Sequence, residues 1–517
     1  MFGGTSRLGG GLPLQLIHEH LQKHANEPDQ LRWGVAAVGF SDDKPGRPST
    51  LTRLREQDGL YSLTQRWMDP HDGTPQTATS IIGCISETLH AREDRQRTLD
   101  LFKSPDTKMA IMAITTANYF LKQGRLDPDA TSDDIEQLRH DLRQPREPIS
   151  AIGMLVEGLR LRMNAGLPGL TVLSCDNLPP PSGDVTRDAL LRYCDLIGEK
   201  PGSSGLYEYI QNDVFIPTTM VDRICPEPPR DRQWCDFIQS SYGFVDERPL
   251  VTEGRYDRFL VIETGADKND PRVARFQENN PFAGSAGVIL TETDGLKWAA
   301  LKSRVLNGQH VWLALMGTFY GGHQMCIHEV VQHPELGPLF QQLTDHEVRP
   351  AVAAMPSEMT LPQYLEKIRQ RFSNANLPDQ VGRIDKECFG RLPRLYSISS
   401  DLLLRHNPEE NDPPNIDMVA CGIAAWVVTR TVQRRAGGEP LKVEENLSTT
   451  QIISEIRADL SVRRALEAGD WKTACEHAFA SFCRRGMLGD IGQNSFVFRE
   501  AVNRFIAKLC GEIDRPV

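Results

Sequence analysis

Through the first half of the chain, short apolar or β-branched runs alternate with stretches of helical spacing. Residues 33–38, 109–115, 170–174, 250–252, 259–263 and 288–291 read as strands, most of them continuous apolar runs of the kind a sheet covered on both faces requires. Residues 12–24, 96–102, 132–142 and 149–165 carry helical periodicity between them. This alternation predicts βαβ architecture. From about residue 296 the pattern changes to helix after helix, at 296–319, 337–353, 361–372, 416–432, 448–460, 471–485 and 495–509. The shift predicts two domains, an α/β one over 1–292 and a mostly α-helical one over 293–517. The Pro/Gly-rich pieces 178–183 and 265–284 read as lids or inter-domain loops.

A length of 517 residues is ample for two large cores. Eleven scattered cysteines, without a Cys-x-x-Cys pair, indicate neither a disulfide framework nor a thiolate zinc site, and a reducing cytoplasm fits them best. The net charge of -11, with no Lys/Arg block, argues against nucleic acid or an anionic membrane as the main partner. No stretch approaches a membrane span and the amino-terminal residues lack a signal-peptide pattern, so the chain reads as soluble and untargeted.

The start of the chain, Phe2-Gly3-Gly4-Thr5-Ser6-Arg7-Leu8-Gly9-Gly10-Gly11, precedes an amphipathic helix and a strand that ends near Asp42 and Asp43. Glycines there let backbone approach a pyrophosphate at a helix N-terminus, and an acidic residue after the second strand can hold a ribose hydroxyl. The spacing departs from Gly-x-Gly-x-x-Gly, and the strand that should precede Gly3 has only Met1 and Phe2 to form it. Either the chain start is truncated or that central strand is very short.

The richest chemistry lies in Lys302-Ser-Arg-Val-Leu-Asn307-Gly-Gln-His310. At about 100° per residue the lysine, asparagine and histidine fall near 0°, 140° and 80°, on one side of a helix. An amine, a carboxamide and an imidazole there can supply a base, a donor to an alkoxide oxygen and an orienting hydrogen bond, the needs of alcohol oxidation by hydride transfer. The amine must shed its proton near neutral pH, which burial or a cation such as Arg304 favours. By itself the segment equally describes a solvated helix face.

With this segment, Thr171-Val-Leu-Ser-Cys-Asp176-Asn177-Leu-Pro179 and Pro217-Thr-Thr-Met220-Val-Asp222-Arg223-Ile-Cys-Pro226 resemble the polyol-specific long-chain dehydrogenases, a family that includes mannitol dehydrogenases and the fructuronate and tagaturonate reductases. Gln57-Asp-Gly-Leu-Tyr61, Arg371-Phe-x-Asn374 and Arg383-Ile with Arg391-Leu-Pro-Arg394 extend the likeness in order to about residue 404. The resemblance implies an α/β, Rossmann-like dinucleotide-binding domain over 1–292, a mostly α-helical substrate and catalytic domain over 293–517 with the site between them, and metal-independent hydride transfer between a polyol or sugar acid and NAD or NADP. It makes Lys302 the general acid/base, Asn177 and Asn307 the pair that hydrogen-bonds the reacting oxygen, and His310 a substrate-orienting group. Arg383 and Arg391 become substrate contacts, and Gly3, Gly4, Arg7, Asp42 and Asp222 the coenzyme side. Thr218 stands where relatives carry Asn, and Thr115-Thr-Ala-Asn-Tyr119 replaces a Thr-Glu-Lys-Gly-Tyr element.

Two arginines can grip a carboxylate, which tilts the substrate toward a hexonate, although the same groups bond polyol hydroxyls. Asp42 or Asp43 favours NAD, whereas Lys44 and Arg47 can accept a 2'-phosphate. The competing readings are a non-catalytic sugar or nucleotide binder on the same fold, and a zinc site using His323 and Cys326 with the nearby His328 and His333. The histidines His18, His20 and His24 read as a solvated helix face, and Cys175 as packing.

Overall fold

In the computed structural model every residue is described except 3–6, 28–32, 47, 131, 133, 228–231, 255–256, 387, 408–412 and 516–517. The chain divides into two compact units: residues 1–69 with 74–299, and residues 70–73 with 300–517.

The first unit is built on parallel strands Val35–Gly39, Ile85–His90, Met109–Met112 and Thr171–Ser174. Phe2 joins their two pairs. It bridges Val38 on one side and Met112 on the other, its N–H donates to the Ile111 carbonyl at 2.8 Å, and its own carbonyl accepts from Ala113 N at 2.9 Å. Phe215 bridges Thr171 at the far side. In space the sheet therefore runs Ile85–His90, Val35–Gly39, Phe2, Met109–Met112, Thr171–Ser174, Phe215. Numbered along the chain, this is the 3-2-1-4-5-6 order of a dinucleotide-binding sheet. Met1–Phe2 occupy the central position of this sheet. A cavity of about 980 Å³, lined by Met1, Gly34, Ala36, Met109 and Ala110 among others, adjoins it between the flanking strands. Burial pulls the Met1 amino group down to about 5.

Successive strand residues fall into opposite hydrophobic cores: Val38, Met112 and Val172 in one, Ala37, Ile111 and Leu173 in the other. Both faces are covered, which is why these strands read as unbroken apolar runs. On one face Ala151–Asn164 meets Arg95–Phe102 so closely that a Cβ on Gly158 would lie 2.5 Å from the Phe102 ring.

Several elements differ from expectation. Tyr61–Met68 and Pro75–Ile82 form an antiparallel pair extended by Leu250–Glu253, and Thr219–Asp222 pairs antiparallel with Phe259–Glu263. Tyr61–Met68, Pro75–Ile82 and Thr219–Asp222 are short or rich in Thr, Ser and Gln, so the apolar pattern does not mark them. The segments expected as loops are partly helical. Ser182–Leu196 starts inside 178–183, and Pro271–Glu278, whose Asp270 side chain accepts from Arg272 N, lies inside 265–284.

The expected helix 296–319, which runs from the end of the first unit into the second, is three pieces: Gly295–Leu301, a π-helical turn Lys302–Gly308, and Gln309–Gly321. The expected 337–353 is interrupted likewise by a π turn at Leu343–Val348. The centre of the unit is Asp417–Val432, buried at every position from Met418 onward and packed by Trp471–Arg484 and Phe496–Ile513. Trp312 Nε1 donates to the Met418 carbonyl at 2.7 Å, and the close approach requires Gly422 beneath the indole. Among the described residues no helix is long and apolar enough to cross a membrane.

Candidate active site

Lys302 opens the π turn and Asn307 lies five residues on. A π turn closes i to i+5 hydrogen bonds, so residues five apart come nearly into line along its axis. Regular helical spacing separates Lys302 and Asn307 by about 140°, so the wider turn gathers them onto one face more closely than the sequence predicts. Lys302 is 8% exposed, and Asn307 is half-buried. Arg304, expected as a cation acting on the lysine, is instead paired with Asp401, Nε to Oδ2 at 2.5 Å, which offsets its charge.

His310 stands in the first turn of Gln309–Gly321, a helix buried almost throughout. Its Nε2 lies 3.0 Å from Asp379 Oδ2. The other oxygen of Asp379 accepts from Arg383 Nε at 2.8 Å and Nη2 at 2.6 Å. One buried carboxylate thus joins two predicted site residues. Burial alone would push the Asp379 carboxyl up, but Arg383 and His310 outweigh it and hold the group at about 2. Burial lowers His310 below the ordinary imidazole value, aided by Arg383 and Arg371 and opposed by Asp379. The Phe372 ring lies 5.0 Å from the imidazole, centre to centre. Asp379 was not singled out in the sequence. Its spacing of four residues before Arg383 was the available signal.

Arg391, expected as a substrate contact, is the half-buried N-cap of Leu392–Arg405. Its Nη1 donates to the carbonyls of Ile384 and Lys386, the latter at 2.7 Å, and so ties down the segment that carries Arg383. The neighbouring Asp385 accepts from Arg430 Nη1 at 2.9 Å and lies 3.1 Å from His323 Nε2, and Arg430 also binds Glu445. His323 is therefore engaged by a carboxylate in an ion network. Cys326 precedes the helix Ile327–Gln332, its backbone N–H donating to Glu329 Oε2 at 2.6 Å. Among the described residues no three His, Cys, Asp or Glu side chains are grouped to hold a metal ion.

In the first unit, Asn177 is exposed just past the carboxyl end of Thr171–Ser174. Its carbonyl accepts from Thr116 Oγ1 at 3.2 Å. The preceding Asp176 is buried and accepts from Ile114 N at 3.1 Å, Thr115 N at 2.8 Å and Tyr119 Oη at 3.1 Å. Burial raises its carboxyl to about 6 against those three donors. Two adjacent strand ends are thereby tied together beneath Asn177. At this edge a cavity of about 320 Å³ is lined by Ser41, Asp42, Lys44, Arg92, Ile114 and Asn118 among others. Asp42 faces Arg92 Nη1 at 3.0 Å and His90 Nε2 at 3.2 Å.

Of the other expected coenzyme residues, Gly3 and Gly4 lie outside the described residues, and Arg7 begins a short helix, Arg7–Gly11. The later glycines serve close packing. A Cβ on Gly10 would lie 2.6 Å from Leu250, and one on Gly11 2.8 Å from Cys225. Asp222 is wholly buried at the end of Thr219–Asp222, opposite Phe259. The adjacent Arg223 donates to Gln15 at 3.2 Å and to Thr252 at 2.6 Å.

A 3-2-1-4-5-6 parallel sheet with a cavity at its carboxyl edge, followed in the chain by a helical unit with a buried polar cluster, defines a two-part protein of the dinucleotide-binding class. The mannitol dehydrogenase Rossmann domain matches residues 21–263, and the mannitol dehydrogenase C-terminal domain matches residues 295–477. The chain belongs to the mannitol dehydrogenase family. It is 25% identical over 438 residues to mannitol dehydrogenase 2 of Saccharomyces cerevisiae, covering 84% of this chain and 78% of that one. It is 28% identical over 368 residues to polyol:NADP oxidoreductase of Gluconobacter oxydans, covering 71% and 68%. Among solved structures, Pseudomonas fluorescens mannitol 2-dehydrogenase in ternary complex with NAD and D-mannitol superposes with a TM-score of 0.72 at 25% identity, covering 95% of this chain and 88% of that one.

Proposed function

We propose that this protein is an NAD(P)-dependent oxidoreductase that interconverts a secondary alcohol of a polyol with its ketone, Lys302 serving as general acid/base. The observation that carries this reading is the polar cluster Lys302, Asn307 and His310 set into a largely buried helical run of a mannitol dehydrogenase family member. The relatives named as acting on polyols, and the solved complex with NAD and D-mannitol, support it.

The coenzyme fits the first unit. The Asp42 carboxylate at the end of the second strand of the sheet can accept from ribose hydroxyls, and the cavity beside it suits the adenosine half. Lys44 and Arg92 line the same cavity, so NADP is tested alongside NAD. Bound NAD(P) supplies the hydride acceptor, or the donor in the reverse direction. Lys302 Nζ takes the hydroxyl proton in oxidation and returns it in reduction. The Asn307 carboxamide donates to the oxygen as negative charge develops on it, where a placed donor does most. Asn177 keeps the same role from the resemblance. His310 orients a neighbouring hydroxyl.

A polyol is favoured over a sugar acid because the Arg383 charge is already countered by Asp379 at 2.6 Å. A substrate carboxylate would gain little there and would meet a second buried carboxylate. The test follows nicotinamide absorbance with mannitol, arabinitol, fructuronate and tagaturonate, each with NAD(H) and NADP(H). Turnover of a polyol that disappears in Lys302→Ala is expected. Coenzyme binding without turnover on any of these would overturn the reading in favour of a non-catalytic binder.

A further inference from the structure

We propose that Asp379 is the positioning residue of this site: it locks the His310 imidazole and the Arg383 guanidinium into one unit that recognises uncharged hydroxyls and turns away a carboxylate. The inference rests on the reading of the site as a polyol site.

Asp379 is 4% exposed, and each of its oxygens serves a different side chain. Its backbone is fixed as well. The Asp379 carbonyl accepts from Ile327 N at 2.9 Å, and its N–H donates to the Leu377 carbonyl at 2.8 Å. Gln380 is bridged antiparallel to Cys326. The carboxylate is thus delivered to one place by the chain on either side. Neutralising a buried aspartate needs only Arg383, so an ion pair alone does not account for the imidazole on the second oxygen.

The chemistry of that second contact is directional. An ionised carboxylate only accepts, so the His310 nitrogen facing it, Nε2, carries the proton, and Nδ1 is left as the acceptor of the ring. Nδ1 then accepts from a substrate hydroxyl, while the N–H groups of Arg383 not spent on Asp379 donate to one. A pair of neighbouring hydroxyls satisfies both. A carboxylate satisfies only the arginine and meets a lone pair at Nδ1. The charged groups acting on His310 are Asp379, Arg383 and, from the helix Leu361–Phe372, Arg371.

Asp379→Asn tests this in the full-length protein. Kinetics are measured on fructose, the ketone of mannitol, and on fructuronate, which adds a carboxylate. The variant is expected to raise KM for fructose roughly tenfold or more, the scale of a lost hydrogen bond to a charged group. KM for the coenzyme stays within about twofold, because nothing at Asp42 changes. The ratio of fructose to fructuronate kcat/KM moves toward the sugar acid, because Arg383 is released, and the pH profile of kcat/KM shifts. A merely structural aspartate produces none of that substrate-dependent swing. Equal losses on both substrates and coenzyme, or no change on any, would overturn the inference. Deuterium exchange at the His310 ring carbon, read by mass spectrometry against pH, needs no turnover. Removal of the Asp379 charge is expected to lower the midpoint. An unmoved midpoint sinks the Asp379–His310 link even if the wild type proves active, whereas an inactive wild type with a moved midpoint sinks the polyol reading alone.

Discussion

Gly308 sits against the backbone of Arg394: a Cβ built on the glycine would lie 2.8 Å from the Arg394 carbonyl oxygen and 2.8 Å from Ile398 Cδ1. The π turn that carries Lys302 and Asn307 is therefore pressed onto the helix Leu392–Arg405 with no room for a side chain. Gly308→Ala is expected to cost about 1–3 kcal/mol, the usual scale of overpacking. Because a carbonyl oxygen cannot rotate away, the π turn must move, and turnover should fall more than coenzyme binding. Urea denaturation and polyol kinetics on the same sample check both.

Lys302→Ala should reduce polyol turnover by roughly 10²–10⁴-fold, the range for loss of a positioned acid/base. Coenzyme affinity should be retained, since the coenzyme side belongs to the first unit. Fluorescence titration with NADH reads the second quantity independently of the first.

Arg430 is wholly buried between Asp385 and Glu445, whose side chains are 1% and 2% exposed. Arg430→Met leaves two carboxylates without their cation and should destabilise by roughly 3–5 kcal/mol. His323→Gln, which touches only the half-exposed end of the same network, should cost much less. Paired denaturation curves distinguish the two.

Glu347 accepts from Met418 N and Val419 N at the start of the central helix. Burial raises its carboxyl from near 4.5 to about 8 despite those donors. Between those values the unfolded chain has lost the proton and the folded chain keeps it, so stability from this group is full below about 4.5 and is lost as pH rises through 8. Glu347→Gln should remove this slope. Thermal midpoints of both proteins from acid to mildly alkaline pH decide it, and parallel profiles would refute the assignment.

Much of this was legible from residue pattern. Strands Phe259–Glu263 and Val288–Thr291 and the helix Leu361–Phe372 lie where periodicity places them. They are short apolar runs or a clean amphipathic face, and neither depends on distant partners. Tyr61–Met68 and Pro75–Ile82 escaped because threonines, serines and glutamines interrupt their apolar residues, Thr64 and Thr79 bonding one another across the strands at 2.9 Å. The π turn at Lys302 escaped for another reason. One extra residue in a turn leaves the apolar spacing on either side intact, so no pattern signals it. Asp379 was hidden by distance along the chain, since His310 lies 69 residues away and only the fold makes them neighbours.

Phe2 carries a load out of proportion to its size. Its N–H donates to Ile111 and its carbonyl accepts from Ala113, while its neighbour's carbonyl accepts from Val38 on the other side. Phe2→Pro would remove that donor and loosen one half of the sheet from the other.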